Sequence, residues 1–395
     1  MSTRTPTPTT APGYLRAEDC HLEDLVELLA AGTDPARYPH AAEVVEGVLV
    51  YDAAGLREAV TDDDGRRAVH AEVARALAEG PGIVVFRGAF EHDVVDRVSA
   101  VFDRVIEQER AAGGAAGDHF AVPGANDRVW NALEKLAVAD PEAFVDYYAN
   151  DVLALASTAW LGPGYQVTSQ VNVVNPGGAG QTVHRDYHLG FQSPKTSAEF
   201  PAHVHALSPA LTLQGAVAHC DMPVETGPTL YLPHSQKYAH GYLAYWLPQF
   251  QEHFVAHHVQ LPLAKGDAAF FNPALFHAAG SNTTTTVRRM ANLLQVSSAF
   301  GRAMENVDRR RVVEATYPAL LRRKASGMPS ARVADVVAAS AEGYAFPTNL
   351  DRDQPVGGMS PQTQAEIVHQ ALAEGMTPGA LHGLLAAHEQ RTLSH

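Results

Sequence analysis

A run of short β-type segments fills the middle of the chain and constrains its fold more than any other feature of the sequence. The segments are rich in β-branched and aromatic residues and are separated by Gly, Pro and Asn. Because no βαβ rhythm connects them, the pattern favours an antiparallel sandwich or jelly roll over a Rossmann-type sheet. Strands are predicted at Val167 to Val174, Leu211 to His219, Thr229 to Leu232, His258 to Leu263, Ala268 to Asn272 and Met290 to Ser297.

The sequence on either side of this run is predicted to be largely helical. Apolar residues at helical spacing predict one helix over 66–79 and a second from Asp93 to a Gly-rich loop at 111–117, with a buried strand at 82–88 between them. A further loop is predicted over 118–131, and the tail from Val307 returns to helix and loop. Inside the β-rich run, Lys265-Gly266-Asp267 predicts a hairpin turn between two strands.

We therefore predict a mainly β fold with flanking helices and a double-stranded β-helix core of the jelly-roll or cupin-like kind. A length of 395 residues suits one enlarged domain over 1–395. Within it we expect an N-terminal helical part with one or more core strands (1–160), a jelly-roll core (161–300) and a C-terminal helical appendage (301–395). The helical tail makes a homodimer plausible.

Composition limits the classes of partner. A net charge of -15 would repel phosphate backbones and anionic lipid, so neither nucleic acid nor membrane is an expected partner. Cys20 and Cys220 cannot build a disulfide framework, the N-terminus lacks the apolar core of a signal peptide, and no stretch approaches the length of a membrane span. A cytoplasmic location is the resulting expectation.

The chemistry concentrates in Thr182-Val183-His184-Arg185-Asp186. Residues two apart in a strand point the same way, so His184 and Asp186 can bind one metal ion while Arg185 faces elsewhere. A third ligand is still required, because the set that suits Fe(II) and leaves positions open for a chelating cosubstrate and oxygen is two His and one carboxylate. A lone His-x-Asp is weak evidence in a chain with 20 His.

The segment from Gly266-Asp267 through Phe270-Phe271-Asn272-Pro273 to His277, followed by Arg288, resembles the phytanoyl-CoA dioxygenase family of Fe(II)/2-oxoglutarate oxygenases. Glu225 to Ser235 is similar to a second segment of that family, with departures at Glu225-Thr226 and His234. The resemblance extends roughly from Ala76 to Phe300.

The resemblance implies that His184, Asp186 and His277 hold iron and that Arg288, at the family spacing, binds 2-oxoglutarate. An Arg fork suits a carboxylate that would otherwise be buried unpaired. Adjacent strand residues point to opposite faces, so Arg289 is expected to face solvent or to join a surface ion pair. The implied reaction couples 2-oxoglutarate and O2 to the oxidation, most simply hydroxylation, of a small-molecule substrate, with release of succinate and CO2. The resemblance also argues against halogenation, since related halogenases carry a small residue in place of Asp186.

Three polar residues of the predicted strands, Gln170, Asn172 and Gln214, would line the barrel. Gln170 and Gln214 are therefore candidates for binding the cosubstrate, although buried amides that satisfy backbone groups explain them equally well. His188, two positions after Asp186, is more simply explained as a partly buried structural residue.

Two other classes of protein stay open at this point. One is a jelly-roll protein that binds a metal or small ligand without turnover. The other is a cupin-like metal enzyme without 2-oxoglutarate, with His203-Val204-His205, in a predicted loop, as ligands. Arg288 discriminates, because only the 2-oxoglutarate hypothesis requires it. The substrate itself cannot be read from the sequence, and a free small molecule of specialised metabolism is a mild preference.

Overall fold

The computed structural model describes residues 13–112, 126–355 and 357–395. Its strands form an eight-stranded sheet in the order β1-β2-β3-β9-β6-β11-β5-β4 and a three-stranded sheet in the order β10-β7-β8. The strands are β1 Glu43–Val45, β2 Val48–Asp52, β3 Ile83–Arg87, β4 Asn126–Val129, β5 Gln166–Val174, β6 Thr212–Ala218, β7 Leu230–Leu232, β8 Val259–Gln260, β9 Ala268–Phe271, β10 Phe276–Ala278 and β11 Arg289–Ser297.

Helices hold more residues than strands, so the architecture is a sheet-rich core with extensive flanking helix rather than a mainly β fold. The N-terminal helices are α1 Leu22–Leu29, α2 Ala53–Ala59, α3 Asp63–Ala78, α4 His92–Ala111, α5 Ala132–Ala139, α6 Pro141–Tyr148 and α7 Asp151–Leu161. Those within the β-rich region are α8 Pro194–Ser197, α9 Ala202–Leu207, α10 Gly241–Ala244 and α11 Pro248–His257. The C-terminal helices are α12 Arg309–Ala325, α13 Ser330–Ser340, α14 Gln364–Glu374 and α15 Pro378–Thr392.

Alternation along β5 and β11 decides which side chains reach the interior of the molecule. In β5, Val171 and Val173 join the hydrophobic core shared with the helices, while Gln170 and Asn172 point to the other face. The paired strand β11 has the same division, with Leu294 and its even-numbered neighbours towards the helical core. Over β5, β6 and β11 the large sheet therefore has one apolar face covered by helices and an opposite face that carries amides and lines a cavity.

Two local predictions were wrong. The turn at Lys265-Gly266-Asp267 is not a hairpin, because β8 pairs with β7 in the small sheet and β9 pairs with β3 and β6 in the large one. The turn carries the chain from one sheet to the other. The segment predicted as a loop over 118–131 contains β4, which pairs with β5; the rest of it before residue 126, like the Gly-rich loop from residue 113, lies outside the described residues.

The helices and strands predicted around residues 66–110 agree closely with α3, β3 and α4. Not every strand pair is antiparallel, since β2 and β3 run parallel. No helix within the described residues is long and apolar enough to cross a membrane. The homodimer and the cytoplasmic location stay predictions.

Candidate metal centre

Two segments that are far apart in the chain bring three candidate ligands together. His184 and His277 form a bridge in which each backbone N–H donates to the carbonyl oxygen of the other, at 2.9 and 3.2 Å. Asp186 is fixed next to them because its N–H donates to the carbonyl of Pro273 at 2.9 Å. One ligand atom from each of the three side chains lies within 4.8 Å of the others, so the group could hold one metal ion.

The two imidazoles are oriented by their own backbone. Nδ1–H of His184 donates to the carbonyl oxygen of Thr182 at 2.8 Å, and Nδ1–H of His277 donates to that of Leu275 at 2.9 Å. A carbonyl can only accept, which assigns the proton to Nδ1 and leaves each Nε2 with its lone pair free. Both Nε2 atoms face Asp186, at 3.8 Å from Oδ1 for His184 and 3.3 Å from Oδ2 for His277. Such support of the outer ring nitrogen is typical of metal-binding histidines.

The carboxylate of Asp186 is held in its charged form. Burial acts to raise the pKa of Asp186, but the neighbouring rings of His184 and His277 outweigh it and lower that pKa to about 2. The side-chain amide of Gln214 in β6 also donates to Oδ2 of Asp186. Burial and the nearby His277 lower the pKa of His184, which favours the neutral imidazole that a metal requires.

Arg185, between the two candidate ligands, is almost completely buried. Its guanidinium lies between the rings of Tyr242 and Phe276, 5.2 and 5.0 Å from their centroids, and donates to the carbonyls of Ser235 and Tyr238 at 2.6 and 3.0 Å. Phe276 precedes His277 in the chain. Arg185 and Phe276, each adjacent in sequence to a candidate ligand, thus pack on each other, and this contact holds the two ligand-bearing segments together.

A cavity of about 830 Å³ opens beside the triad and is lined by both sheets. Arg289 lines it and is 5 % exposed, whereas Arg288 points outwards and pairs with Asp103 of α4 at 2.8 Å. The expectation that Arg288 faces the site and Arg289 faces solvent is therefore wrong. The physical reason is strand parity, because β11 begins at Arg289 and its odd-numbered residues share the face of the cavity amides.

The three amides predicted to line the barrel lie on the wall of this cavity. Gln170, Asn172 and Gln214 are all buried and all line the cavity. Gln214 contacts Asp186 directly, and Oε1 of Gln170 accepts from Arg128 at 3.3 Å. Oδ1 of Asn172 is buried and has no donor among the residues that the structure describes. These three amides form a neutral polar surface facing the candidate metal centre.

The histidines outside the motif serve the fold. His205 lies in α9, not in a loop as predicted, and its Nε2–H donates to the carbonyl of Ser197 at 2.9 Å, while neither it nor His203 lines the cavity. His219 is buried between Ser99 and Tyr147, each 2.9 Å away. His188 is half-buried and also lies outside the cavity lining. The pair 203 and 205 therefore offers no alternative metal centre.

A family model described as phytanoyl-CoA dioxygenase (PhyH) matches residues 78–290, more than half of the chain and including the whole triad. The chain belongs to the phytanoyl-CoA dioxygenase family. Enzymes of this family are non-haem oxidoreductases that use Fe(II), 2-oxoglutarate and O2. The two neutral imidazoles and one carboxylate found here are a donor set that fits such an iron ion.

Several solved structures are similar to parts of this chain. The α-ketoglutarate-dependent epimerase SnoN from nogalamycin biosynthesis is 21% identical over 59% of this chain and 83% of its own, with a TM-score of 0.36. The carbocyclase SnoK from the same biosynthesis is 19% identical over 60% and 87%, with a TM-score of 0.41. HygX from Streptomyces hygroscopicus, solved with nickel, 2-oxoglutarate and hygromycin B, is 14% identical over 60% and 90%, with a TM-score of 0.41. No curated protein matches the chain.

Aromatic side chains that the sequence did not single out form part of the cavity wall in this PhyH-family chain. Tyr187 packs edge-on against Phe191 at 5.6 Å, and Tyr245 stacks on Trp246 at 5.0 Å. Tyr187 directly follows the candidate ligand Asp186 and has φ 51° and ψ 156°, a backbone conformation that is otherwise almost restricted to glycine. Strain of this kind, next to a candidate ligand, indicates a position held for function rather than for local stability.

Proposed function

We propose that the chain hydroxylates a small-molecule substrate, with Fe(II) held by His184, Asp186 and His277 and with 2-oxoglutarate bound through Arg289. The iron, when bound, supplies the activation of O2, and 2-oxoglutarate leaves as succinate and CO2. The contribution of the protein is to present two neutral imidazoles and one charged carboxylate, and to provide a buried cation for the cosubstrate.

One observation carries the proposal: the guanidinium of Arg289 is buried on the cavity that the triad shares. It makes no ion pair or hydrogen bond to any residue within the described parts of the chain. Burial lowers the pKa of Arg289 to about 10, so it is still charged near neutral pH. A buried charge without a partner is costly, and a carboxylate of a bound dianion would remove that cost. Arg288 cannot do this from the surface.

Tyr231 is a neighbour of both Arg289 and the triad. Burial raises the pKa of the Tyr231 hydroxyl, and the nearby charge of Arg289 acts to lower it. Tyr231 lies in β7 and is the cross-strand partner of His277. Tyr231 and Phe271 line the cavity there and contact each other edge-on at 5.2 Å. This arrangement supports a cosubstrate that lies between Arg289 and the metal, with the amides of Gln170 and Gln214 as additional partners.

We further propose that the two sheets form the opposed layers of a jelly roll. The support is that the inner face of the large sheet supplies Gln170, Gln214 and Arg289, whereas the small sheet supplies Tyr231 and His277 to the same cavity. An enclosed site between two sheets suits a reaction that must exclude bulk water.

The test is anaerobic titration of the purified apoprotein with Fe(II) and 2-oxoglutarate, following the visible charge-transfer band of chelated 2-oxoglutarate. We expect a band for the wild type, none for His184→Ala, and for Arg289→Met a requirement for about 100-fold more 2-oxoglutarate, the loss of a strong charged pair. The matched control is Arg288→Met, which removes an equal charge one residue away and should leave the titration unchanged.

Two results would contradict the proposal. If the folded, metal-loaded wild type gave no band, the chain would not bind 2-oxoglutarate in this way. If Arg288→Met weakened 2-oxoglutarate binding and Arg289→Met did not, the cosubstrate would be held by the residue that the family spacing selects. A substrate screen that measures succinate release is the next step only if the wild type gives the charge-transfer band.

A further inference from the structure

The cavity is larger than the proposed reaction needs for 2-oxoglutarate alone. Its volume of about 830 Å³ lies within the range of roughly 300–1,000 Å³ that binds drug-sized ligands. A small dicarboxylate between Arg289 and the triad leaves most of that space free. A second molecule of considerable size can therefore occupy the remainder.

Two exposed aromatic rings stand at the cavity. Phe191 is 54 % exposed and Trp246 is 46 % exposed, unusual values for large side chains that line a pocket. Each has a fixed partner, Tyr187 and Tyr245 respectively, and the hydroxyl of Tyr245 donates to the carbonyl of Gly190 at 3.0 Å. That bond links the two aromatic pairs into one wall. Flat or ring-shaped apolar faces are the groups that such a wall binds best.

The polar groups of the lining are mostly neutral. Among its described residues there is no lysine and no glutamate, and Asp186 is the single aspartate. The arginines beyond Arg289 already contact other groups, since Arg185 is enclosed by rings and carbonyls, and Arg128 stacks on Trp130. Apart from the two triad histidines, amides and hydroxyls make up most of the other polar side chains of the lining, and these pair with hydroxyls and carbonyls at little cost in desolvation.

We infer that the substrate is an uncharged, hydroxyl-bearing compound with at least one flat or ring-shaped apolar face, and bulkier than an amino acid. Its ring system would lie against the wall formed by Phe191 and Trp246, and its hydroxyls would meet the amides, including the buried Oδ1 of Asn172 that has no donor in the described chain. This inference rests on the proposed function. It separates the chain from one that acts on acyl-coenzyme A, whose phosphates would require several cations at the entrance.

The experiment is isothermal calorimetry on protein loaded with Ni(II) and 2-oxoglutarate, which forms the complex without turnover. The probes are a panel of neutral flavonoid and anthraquinone glycosides, a panel of short and long acyl-coenzyme A thioesters, and a panel of free amino acids. We expect binding only from members of the first panel. Trp246→Ala and Phe191→Ala should each weaken the best of them about tenfold or more.

The matched control is Phe300→Ala, because Phe300 is even more exposed, contacts Tyr344, and does not line the cavity. It should leave the affinity unchanged. The inference is overturned if an acyl-coenzyme A or an amino acid binds most tightly, if no glycoside binds up to about 1 mM, or if the two aromatic variants bind like the control. Because 2-oxoglutarate binding is measured first in the same cell, its absence would count against the proposed function instead.

Discussion

Arg185 and Arg289 are two buried guanidinium groups beside one cavity, and neither forms an ion pair with a carboxylate in the described chain. Their surroundings differ. Arg185 lies between two aromatic rings, and its Nη2 donates to two backbone carbonyls, while its buried Nε has no partner in the described chain. Arg289 faces open space, with the small side chain of Ala291 two residues along the same face.

The difference teaches how to separate a structural cation from a binding cation. A buried charge that already makes hydrogen bonds and ring contacts within the protein stabilises the fold around it, whereas one that opens into a cavity is stabilised by a ligand that arrives later. Arg185 should therefore matter for stability in the absence of ligand. Arg289 should matter for stability only in its presence.

The largest expected effect is that of Arg185→Met. The substitution removes two hydrogen bonds from a charged group to the carbonyls of Ser235 and Tyr238, each worth about 1.5–3 kcal/mol, although both carbonyls keep a backbone donor and the loss is partly offset by removal of a buried charge. We expect the free energy of unfolding of the apoprotein to fall by about 3 kcal/mol, measured by urea denaturation. Arg185→Lys keeps the charge and can keep one hydrogen bond, so its free energy of unfolding should lie between those of the wild type and Arg185→Met. Equal stability of Arg185→Met and wild type would remove the distinction between the two arginines.

A second effect follows from Gly241, which lies against the same guanidinium. A Cβ at this position would come within 1.8 Å of Cζ of Arg185, so Gly241→Ala would push the guanidinium away from its ring and carbonyl partners. We expect a loss of about 2 kcal/mol in the free energy of unfolding, as for overpacking of a tight core. Gly383→Ala in α15 is the matched control, because nothing lies within 4 Å of its added Cβ.

The double variant decides whether Gly241 acts through Arg185. If the clash is with the guanidinium, Gly241→Ala should cost much less in an Arg185→Met background, giving a clear coupling energy in a double-mutant cycle. Additive effects would mean that the alanine methyl disturbs some other part of the α10 turn.

The third substitution is expected to raise the free energy of unfolding of the apoprotein rather than lower it. Arg289→Met removes a buried cation that has no partner in the described chain, so the apoprotein should gain about 1 kcal/mol in its free energy of unfolding. Wild type loaded with Ni(II) should gain about 2.7 kcal/mol at 2-oxoglutarate concentrations 100-fold above Kd, and the variant should gain almost nothing at that concentration. Thermal melts with and without 2-oxoglutarate measure both. If 2-oxoglutarate did not stabilise the wild type, Arg289 would be a structural residue like Arg185.

The sequence predicted most strands through period-two patterns and paired His184 with Asp186 through the His-x-Asp spacing, because both are local signals, and it predicted His277 through the family resemblance. It failed where the outcome depends on pairing between distant segments. The turn at Gly266 looks like a hairpin locally, yet β8 and β9 join different sheets. The aromatic wall brings together Phe191 and Trp246, whose proximity no local pattern encodes.

The error at Arg288 is instructive because a local signal was present. Met290, Leu294 and Val296 are apolar and alternate, which assigns even-numbered residues of β11 to the helical core and hence Arg289 to the opposite face. Family spacing selected the neighbouring residue instead. The polar Asn292 on the even face obscures the pattern, and its buried bond to the Tyr147 hydroxyl at 3.1 Å is visible only in the structure.

The smallest expected effect is at Arg288 itself. Its ion pair with Asp103 is partly exposed on both sides, and exposed pairs contribute about 0.2–1 kcal/mol. Arg288→Ala and Asp103→Ala should each change the free energy of unfolding by less than about 1 kcal/mol, with a coupling energy that shrinks in high salt. Neither substitution should alter the 2-oxoglutarate titration. A stability loss at Arg288 comparable to that at Arg185 would show that the surface pair anchors α4 to β11, and the ranking of the arginines by burial and open space would then be wrong.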